Sequence, residues 1–228
     1  QQPIDEAVAG DIVTIAGMSK ATVADTLCAL EVETALPAQP IDPPTISVTF
    51  GINDSPLAGR DGNKVQSRVI RERLMKEAET NVAIKVEDTP GGDAFVVSGR
   101  GELQMGVLIE TMRREGFELS VGRPEVILKK DADGKVLEPI EHLYVDCDES
   151  FMGVVTDKLN QRKGKMINCH NAGTGRIRLE FSVPSRGLIG YQDEFMTDTK
   201  GTGIMNASLD GYEPWRGDFP SRYTGSIV

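Results

Sequence analysis

The order in which strand and helix patterns follow one another constrains the fold of this chain more than any other feature. Stretches in which apolar residues alternate indicate half-buried strands, and stretches in which they recur every three to five residues indicate one face of a helix. In the first half of the chain the order is strand, helix, strand, strand, helix, strand. These elements lie at residues 46–52, 65–78, 82–86, 95–98, 103–112 and 117–121, and Gly116 is predicted to end the second helix.

The same order returns in the second half of the chain. Its elements lie at residues 143–147, 151–159, 166–169, 177–183, 188–196 and 204–209. Two successive βαββαβ units are the split-βαβ, ferredoxin-like pattern. We therefore predict an α+β chain with two such units in tandem, each burying one face of an antiparallel sheet under two helices.

The first 40 residues differ from the rest, because they show strand patterns and no helical one. Residues 36–44 then carry four prolines in nine positions. Proline fixes φ and cannot donate to a strand ladder, so this stretch predicts a linker or an extended crossing between domains.

Charge and cysteine content limit the classes of function. The 228 residues carry a formal net charge of −10, which argues against indiscriminate nucleic-acid binding but leaves room for a local basic patch. The three cysteines (Cys28, Cys147 and Cys169) are odd in number and form no CxxC pair. That favours a reducing cytosol. No apolar stretch approaches the ~20 residues that span a bilayer, and no signal-peptide pattern opens the chain, so we expect no membrane partner.

A glycine-rich turn at residues 98–105, SGRGELQM, lies between a predicted strand and a predicted helix. A phosphate loop at such a place needs G-x-x-x-x-G-K-[ST], and a dinucleotide loop needs G-x-G-x-x-G. This stretch has neither pattern. Glu102 would repel phosphate, yet its charge is favourable at the positive end of a helix. We predict a tight turn with close packing, so that Gly99→Val or Gly101→Val destabilises the fold.

Cations concentrate around residues 162–165, at the end of the helix predicted at 151–159. One interpretation is a solvated helix end whose cations face the negative end of the helix dipole. The other is a patch that contacts the phosphate backbone of RNA. The candidate RNA-binding residues are Arg162, Lys163, Lys165, Arg176 and Arg186.

No catalytic constellation is visible in the sequence. Ser185 would need a base, and neither His142 nor His170 lies in a recognisable triad context. Ser185 instead suits the cap of the next helix. The spacing of Cys147, Cys169 and His170 does not match a zinc module. We predict no catalytic, cofactor-binding or metal-binding residue, and no enzyme activity in this chain.

Five stretches carry a resemblance to a known family. The chain resembles the C-terminal half of the bacterial TypA/BipA translational GTPases, which are relatives of elongation factor G. The stretch at 184–203 points to TypA/BipA in particular. The matching residues are 9–13 (AGDIV), 35–37 (ALP), 98–124 (SGRGELQMGVLIETMRREGFELSVGRP), 159–164 (LNQRKG) and 184–203 (PSRGLIGYQDEFMTDTKGTG).

The resemblance implies a domain order. Residues 1–40 would end a β-barrel domain like domain II of translation factors, and 216–228 would begin a truncated family-specific C-terminal domain. Between them, 41–126 would be a ferredoxin-like domain like domain III, and 127–215 one like domain V of elongation factor G. The GTPase domain would precede residue 1. We therefore expect a fragment without GTPase activity or cofactor, with GTP and Mg²⁺ held by the missing domain of the parent.

The resemblance also implies a function. The chain would be a cytoplasmic, monomeric, ribosome-binding part of a GTPase that acts in translation, stress adaptation and ribosome assembly. Its partners would be the ribosome, ribosomal RNA, ribosomal proteins and the parent's own GTPase domain. The alternative is a regulatory module that binds a small metabolite, because tandem ferredoxin-like units also occur in amino-acid-sensing domains. A saturable thermal shift with one metabolite would favour that alternative.

Overall fold

The computed structural model describes residues 3–18, 25–38, 42–171 and 173–219. The chain divides into two compact units, Gln1–Ile41 and Asp42–Val228. The described residues of the first unit form turns and stretches without regular secondary structure, and among them there is neither a helix nor a strand. The barrel end implied by the resemblance is therefore not seen in residues 3–18 and 25–38. A strand needs a partner for its backbone N–H and C=O groups, and these segments pair with none.

The second unit begins with a sheet covered by two helices. Its elements are β1 (Ile46–Ile52), α1 (Ser67–Thr80), β2 (Lys85–Asp88), β3 (Ala94–Gly99), α2 (Glu102–Arg114), β4 (Leu119–Val121) and β5 (Glu125–Val126). The strands are antiparallel in the order β2-β3-β1-β4, and β5 also pairs with β1. Phe50 and Val97 on the sheet pack against Ile70 of α1 and Met112 of α2, and all four are fully buried.

A second sheet follows with the same plan. Its elements are β6 (Lys129–Lys130), β7 (Val136–Asp148), a 3-10 turn (Glu149–Phe151), α3 (Met152–Gln161), β8 (Lys165–Asn171), β9 (Arg176–Pro184), α4 (Ser185–Leu188), α5 (Tyr191–Asp198) and β10 (Ile204–Pro214). The strand order is β10-β7-β9-β8, and β6 pairs with β7. Leu143, Leu179 and Phe181 pack against Val155 of α3 and Phe195 of α5.

Both halves of this unit thus have the predicted βαββαβ order. Within each half the fourth strand lies beside the first and the second lies at the far edge, which is the arrangement of a split βαβ unit. The two antiparallel sheets and the mixed α and β content agree with the predicted class. The boundary proposed at residues 126–127 stays a prediction.

The helix predicted at 188–196 is two pieces. Gly190 has a φ of +70° and separates α4 from α5, because a residue in the left-handed region cannot continue a right-handed helix. The prediction that Ser185 caps this helix is wrong. Pro184 holds the cap position, and Ser185 is the first, buried residue of α4.

Gly116 ends α2 as predicted. Its φ is +85°, its N–H donates to Arg113 O at 3.0 Å, and the N–H of Phe117 donates to Met112 O at 3.1 Å. These two bonds form a Schellman motif, in which glycine is favoured because it has no Cβ. The chain then turns back into β4.

The two glycines of the SGRGELQM turn differ. A Cβ on Gly99 would lie 2.2 Å from the terminal methyl of buried Met105, so close packing is confirmed there. A Cβ on Gly101 would meet nothing within 4 Å, and the φ of Gly101 is extended at −174°. The expected effect of Gly101→Val therefore has no support in the structure. Across the described ranges, no helix is long and apolar enough to cross a membrane.

Candidate nucleic-acid interface

Lys163 and Lys165 surround the C-terminal end of α3. Gly164 N donates to Leu159 O at 2.8 Å and Lys163 N donates to Asn160 O at 3.1 Å, so this helix also ends in a Schellman motif. Lys163 occupies the left-handed position with a φ of 64°. In the part of the chain that the structure describes, neither lysine side chain forms an ion pair. Both ammonium groups therefore remain free to meet a phosphate.

Arg162 is instead used inside the protein. Its Nη1 donates to Gly187 O at 2.9 Å and to Ile189 O at 3.1 Å, and its Nη2 donates to Glu194 at 3.0 Å. The guanidinium also lies 5.2 Å from the centre of the Tyr191 ring, and only 18% of the side chain is exposed. Arg162 thus ties α3 to the α4–α5 connection.

Backbone contacts support the same junction. A Cβ added to Gly187 of α4 would lie 2.6 Å from Arg162 O at the end of α3. One added to Gly164 would lie 2.9 Å from Leu159 O, within the turn that ends α3. Both glycines also face Val183 of β9. The end of α3 and the start of α4 therefore approach to a distance that only glycine allows.

Arg186 is also sequestered. It contacts the fully buried Glu138 through its Nε at 2.5 Å, and its Nη2 donates to Gly217 O at 2.6 Å. Its guanidinium lies 3.7 Å from the centre of the Trp215 ring. Buried carboxylates are stable in the charged form only when they are paired and hydrogen-bonded. Arg186 therefore holds the segment after β10 against the sheet.

Arg216 belongs to the same network, although it is not among the cations predicted from the sequence. Its backbone N–H donates to Glu138 at 2.6 Å. Its guanidinium donates to Ser182 O at 2.8 Å and to Lys163 O at 3.2 Å. A signal was present in the sequence, because Glu138 interrupts an apolar strand and a buried carboxylate needs a cationic partner.

Arg176 lies at the other end of the β8–β9 hairpin. Lys165 pairs with Ser182, six residues along β9 from Arg176, which places the two backbones about 20 Å apart. Arg176 bonds Asp146 at 2.5 Å. The five predicted cations therefore do not form one patch, and only Lys163 and Lys165 keep the properties of a phosphate-contact pair.

The second sheet has one face that the helices leave uncovered, and we call it the open face. Two aromatic rings on it are stacked: those of His142 and Tyr144 lie 4.4 Å apart between centres, at 17°. His142 Nε2 lies 3.1 Å from Glu180 Oε2. The open face comprises three rows across the sheet: Ser208, His142, Ser182 and Lys165; Asn206, Tyr144, Glu180 and Asn168; Ile204, Asp146, Arg178 and His170.

Glu102 connects the two halves of the second unit. Its carboxylate accepts the N–H of Gly190 at 2.8 and 3.0 Å. Gly190 immediately precedes α5, so the charge sits at the positive end of that helix as well as at the start of α2. In the sequence Glu102 stands at a predicted helix start, and nothing there indicates a partner 88 residues away.

The thiol and imidazole groups do not converge on one site. Cys147 is fully buried in the second core, and burial raises the pKa of its thiol. Cys169 is exposed on β8, where it pairs with Leu179. His170 is on the other face of that strand, opposite Arg178. Among residues that the structure describes, no cluster of His, Cys, Asp and Glu has a metal-binding arrangement.

Comparison with known proteins gives similarity along nearly the whole chain. Residues 135–223 match the family model of the elongation factor G C-terminus. The chain is 47% identical over 226 residues, 99% of its length, to the large ribosomal subunit assembly factor BipA of Bacillus subtilis strain 168. It is 47% identical to the protein of that name from Synechocystis over 99% of its length, and 49% identical to the one from Haemophilus influenzae over 98%. It spans 37%, 38% and 36% of the length of these relatives, respectively.

Proposed function

Since this chain is a BipA/TypA-like C-terminal segment of the translational GTPase family, we propose that it is the ribosome-binding part of a factor that acts in assembly of the large ribosomal subunit. One observation carries the proposal. Identity of 47% extends over 99% of the chain to proteins named large ribosomal subunit assembly factor BipA. Identity at that level, spread over two sheets and their connections, supports a shared binding role and not only a shared fold.

The proposal divides the work between this chain and the remainder of a longer parent. The parent would bind GTP with Mg²⁺ in a GTPase domain outside these 228 residues, and it would act as a monomer in the cytoplasm during translation and under stress. The 228 residues contain no G-x-x-x-x-G-K-[ST] stretch, so nucleotide chemistry would come from elsewhere in the parent. Residues 1–40 would complete a barrel when its other strands are present, and 216–228 would lead into the C-terminal domain.

We assign the phosphate contact of this segment to Lys163 and Lys165. Both flank the end of α3, and their ammonium groups are not committed to carboxylates of the described chain. A formal charge of −10 over the whole chain makes such a local cationic site selective, because most other surfaces repel RNA. Arg162 and Arg186 are left out of the contact, since their guanidinium groups support the fold.

Co-sedimentation with purified 50S particles tests the proposal. The chain is mixed with particles over a range of salt concentrations, alone and as the Lys163→Glu/Lys165→Glu variant. We expect the chain to pellet with 50S, and we expect the double variant to lose at least about tenfold in affinity with a shallower salt dependence, because each lost phosphate contact reduces counterion release. Arg68→Glu, at an exposed position of α1, is the charge-reversal control, with half the charge change of the double variant.

Two results would contradict these assignments. If the wild-type chain does not pellet at any salt concentration, ribosome binding does not reside in this segment. If it pellets and the double variant pellets equally well, the segment binds but the lysine assignment is wrong.

A further inference from the structure

We propose that the open face of the second sheet binds unpaired RNA, with Tyr144 as a stacking platform for a base and Arg178 as a phosphate contact. Lys165 of the lysine pair lies at one corner of this surface, whereas Tyr144 and Arg178 lie in its other two rows. The source of the RNA rests on the proposed ribosomal role. The argument for RNA binding rests only on the residues of the open face.

The central strands carry the feature that points to a base. Tyr144 stands on β7 with 42% of the residue exposed, in a sheet whose order is β10-β7-β9-β8. An exposed aromatic ring forgoes the free energy that its burial would contribute. A planar ligand that stacks on Tyr144 would bury the ring on the central strand. Four-stranded sheets of this βαββαβ plan are known to bind single-stranded RNA by stacking bases on aromatic side chains of their central strands.

Neighbouring side chains hold the Tyr144 ring in a fixed orientation. His142 stacks on Tyr144 at 4.4 Å, and His142 is itself held by Glu180 at 3.1 Å. Glu180 also accepts from Asn168 Nδ2 at 3.3 Å. One face of the Tyr144 ring is thus covered by a fixed neighbour. A pre-positioned ring loses little conformational freedom when a ligand stacks on it.

A groove of about 470 Å³ adjoins the uncovered side of this pair. Its lining includes Tyr144, Asp146, Arg178, Thr202, Ile204 and Asn206, but not His142. The groove therefore lies on the side of Tyr144 away from His142, where a base would enter. Its size is in the range of small-molecule sites, and Asn206 offers both a donor and an acceptor to the edge of a base.

Charge distinguishes this surface from the rest of the molecule. Arg176 and Arg178 share one carboxylate, Asp146, at 2.5 and 3.7 Å. Lys165 adds a cation to the opposite corner of the open face. Within the three rows, Lys165 and Arg178 balance the carboxylates of Asp146 and Glu180, and Arg176 beyond them lies opposite Asp148. The open face is therefore formally neutral on a chain with a net charge of −10, so it repels a phosphate backbone less than the acidic surfaces do.

Unpaired RNA is favoured over a duplex because of accessibility. Bases in an A-form duplex are stacked on each other, and their faces cannot reach an aromatic side chain on a sheet. The open face therefore suits a loop, a bulge or a strand end, in which one base can leave the stack and lie on Tyr144.

Fluorescence anisotropy with labelled RNA tests the proposal. The 228-residue chain is titrated into an unstructured RNA of about eight nucleotides, a length within the site sizes of single-strand binders. A duplex of the same sequence and a free nucleoside monophosphate are measured alongside. Variants are Tyr144→Ala, Tyr144→Phe and Arg178→Ala. Arg68→Ala is the control, because Arg68 is exposed on α1 and lies beside a carboxylate of its own, as Arg178 does.

We expect the single strand to bind more tightly than either the duplex or the mononucleotide. Tyr144→Ala is expected to weaken binding by at least about fivefold, while Tyr144→Phe, which keeps the ring, binds like the wild type. Arg178→Ala is expected to lower the salt slope by about 0.7, as for one phosphate contact of a single strand. Arg68→Ala leaves both quantities unchanged.

Three outcomes would overturn the inference. Equal affinity for duplex and single strand would show that the chain contacts only the phosphates and that no base stacks on Tyr144. Tight binding of the mononucleotide alone would show that the groove is a small-molecule site. If no RNA binds, yet Tyr144→Ala reduces pelleting with 50S particles, the open face docks a protein. Should Tyr144→Ala lower the melting temperature, the comparison of Arg178→Ala with Arg68→Ala still decides, since both side chains are exposed. The proposed function is tested by a different measurement, the pelleting of the wild-type chain with 50S particles, so it can hold in each of these cases.

Discussion

Gly187→Ala is expected to destabilise the second sheet and its helices, although alanine is the smallest possible addition. Gly187 lies in α4, directly against the C-terminal end of α3. A Cβ at this position would lie 2.6 Å from Arg162 O and 3.2 Å from Val183 Cγ1. The nearer contact is with backbone, so no side-chain rotation can relieve it.

The magnitude follows from what must move. Restoring an ordinary contact distance requires a separation of about 0.9 Å between α4 and the end of α3. Overpacking of this kind costs about 1–3 kcal/mol. The same movement stretches the bonds from Arg162 to Gly187 O and Ile189 O, and bonds to charged groups contribute about 1.5–3 kcal/mol. Alanine recovers up to about 1 kcal/mol of backbone entropy. We expect a net loss of about 2 kcal/mol.

Urea unfolding followed by tryptophan fluorescence measures this loss. Trp215 is the single tryptophan of the chain, and it lies under the guanidinium of Arg186 in the second sheet's half. With an m value of about 2 kcal/mol/M, the midpoint should fall by about 1 M. Gly153→Ala is the matched control. Gly153 lies in α3 with nothing within 4 Å of an added Cβ, and its replacement should stabilise by about 0.5 kcal/mol.

The two variants together decide the outcome. A Gly187→Ala chain as stable as the wild type, measured beside a Gly153→Ala chain that gains stability, would refute the close approach of α3 and α4. A loss in both variants would instead mean that alanine is unfavourable in α3 and α4 alike, for reasons unrelated to the close contact at Gly187.

Two further predictions also concern the stability of the chain. Lys163→Gly should stabilise the chain by about 1 kcal/mol, because Lys163 holds a left-handed φ of 64° that glycine adopts without strain; no gain would argue against that conformation. The backbone N–H groups of Gly59 and the nearby loop lower the pKa of Glu118, so its contribution to stability should be complete above its unfolded pKa of about 4.3 and should disappear as pH falls through the lower folded value. Thermal melts of wild type and Glu118→Gln should therefore differ most above about pH 5 and converge in acid, whereas a gap that stays constant with pH would contradict the assigned hydrogen bonds.

The order of elements was predictable because the alternation of side chains is a local property of a strand. Along β9 the odd-numbered residues from Ile177 to Val183 are buried and the even-numbered ones face outward, and that pattern is visible in the sequence alone. The C-terminal end of α2 was predictable for a similar reason, since Gly116 provides a left-handed residue directly after the helix.

The use of each arginine was not predictable, because it depends on residues distant in the chain. Arg162 finds its acceptors 25 and 27 residues away, and Arg186 finds Glu138 at a separation of 48. In the sequence both stand among other cations and suggest a single patch. The structure separates them, since a charged side chain beside an unsatisfied carbonyl or a buried carboxylate is stabilised there and not in solvent.

Residues 3–18 and 25–38 lack the strands that their apolar patterns indicate, for a different physical reason. Alternating apolar residues report which side of a strand would be buried, but they do not provide the neighbouring strand. Ile12 and Leu30, from two of these strand patterns, are fully exposed in the structure. The pattern therefore predicts a tendency to form strands, and no strand forms in residues 3–18 and 25–38 because no partner strand completes the ladder there.

The contact between Glu102 and Gly190 has a consequence for recombining related sequences. Its acceptor belongs to the first βαββαβ half and its donor to the second, and the donor is a main-chain amide that every residue type except proline provides. A chimaera that takes its two halves from different relatives would keep the main-chain donor. It would lose the acceptor if the relative that supplies the first half has another residue at the position of Glu102. The position of Glu102 is therefore the first to inspect when choosing crossover points, and a parental glutamate there would let the halves be exchanged without redesigning their junction.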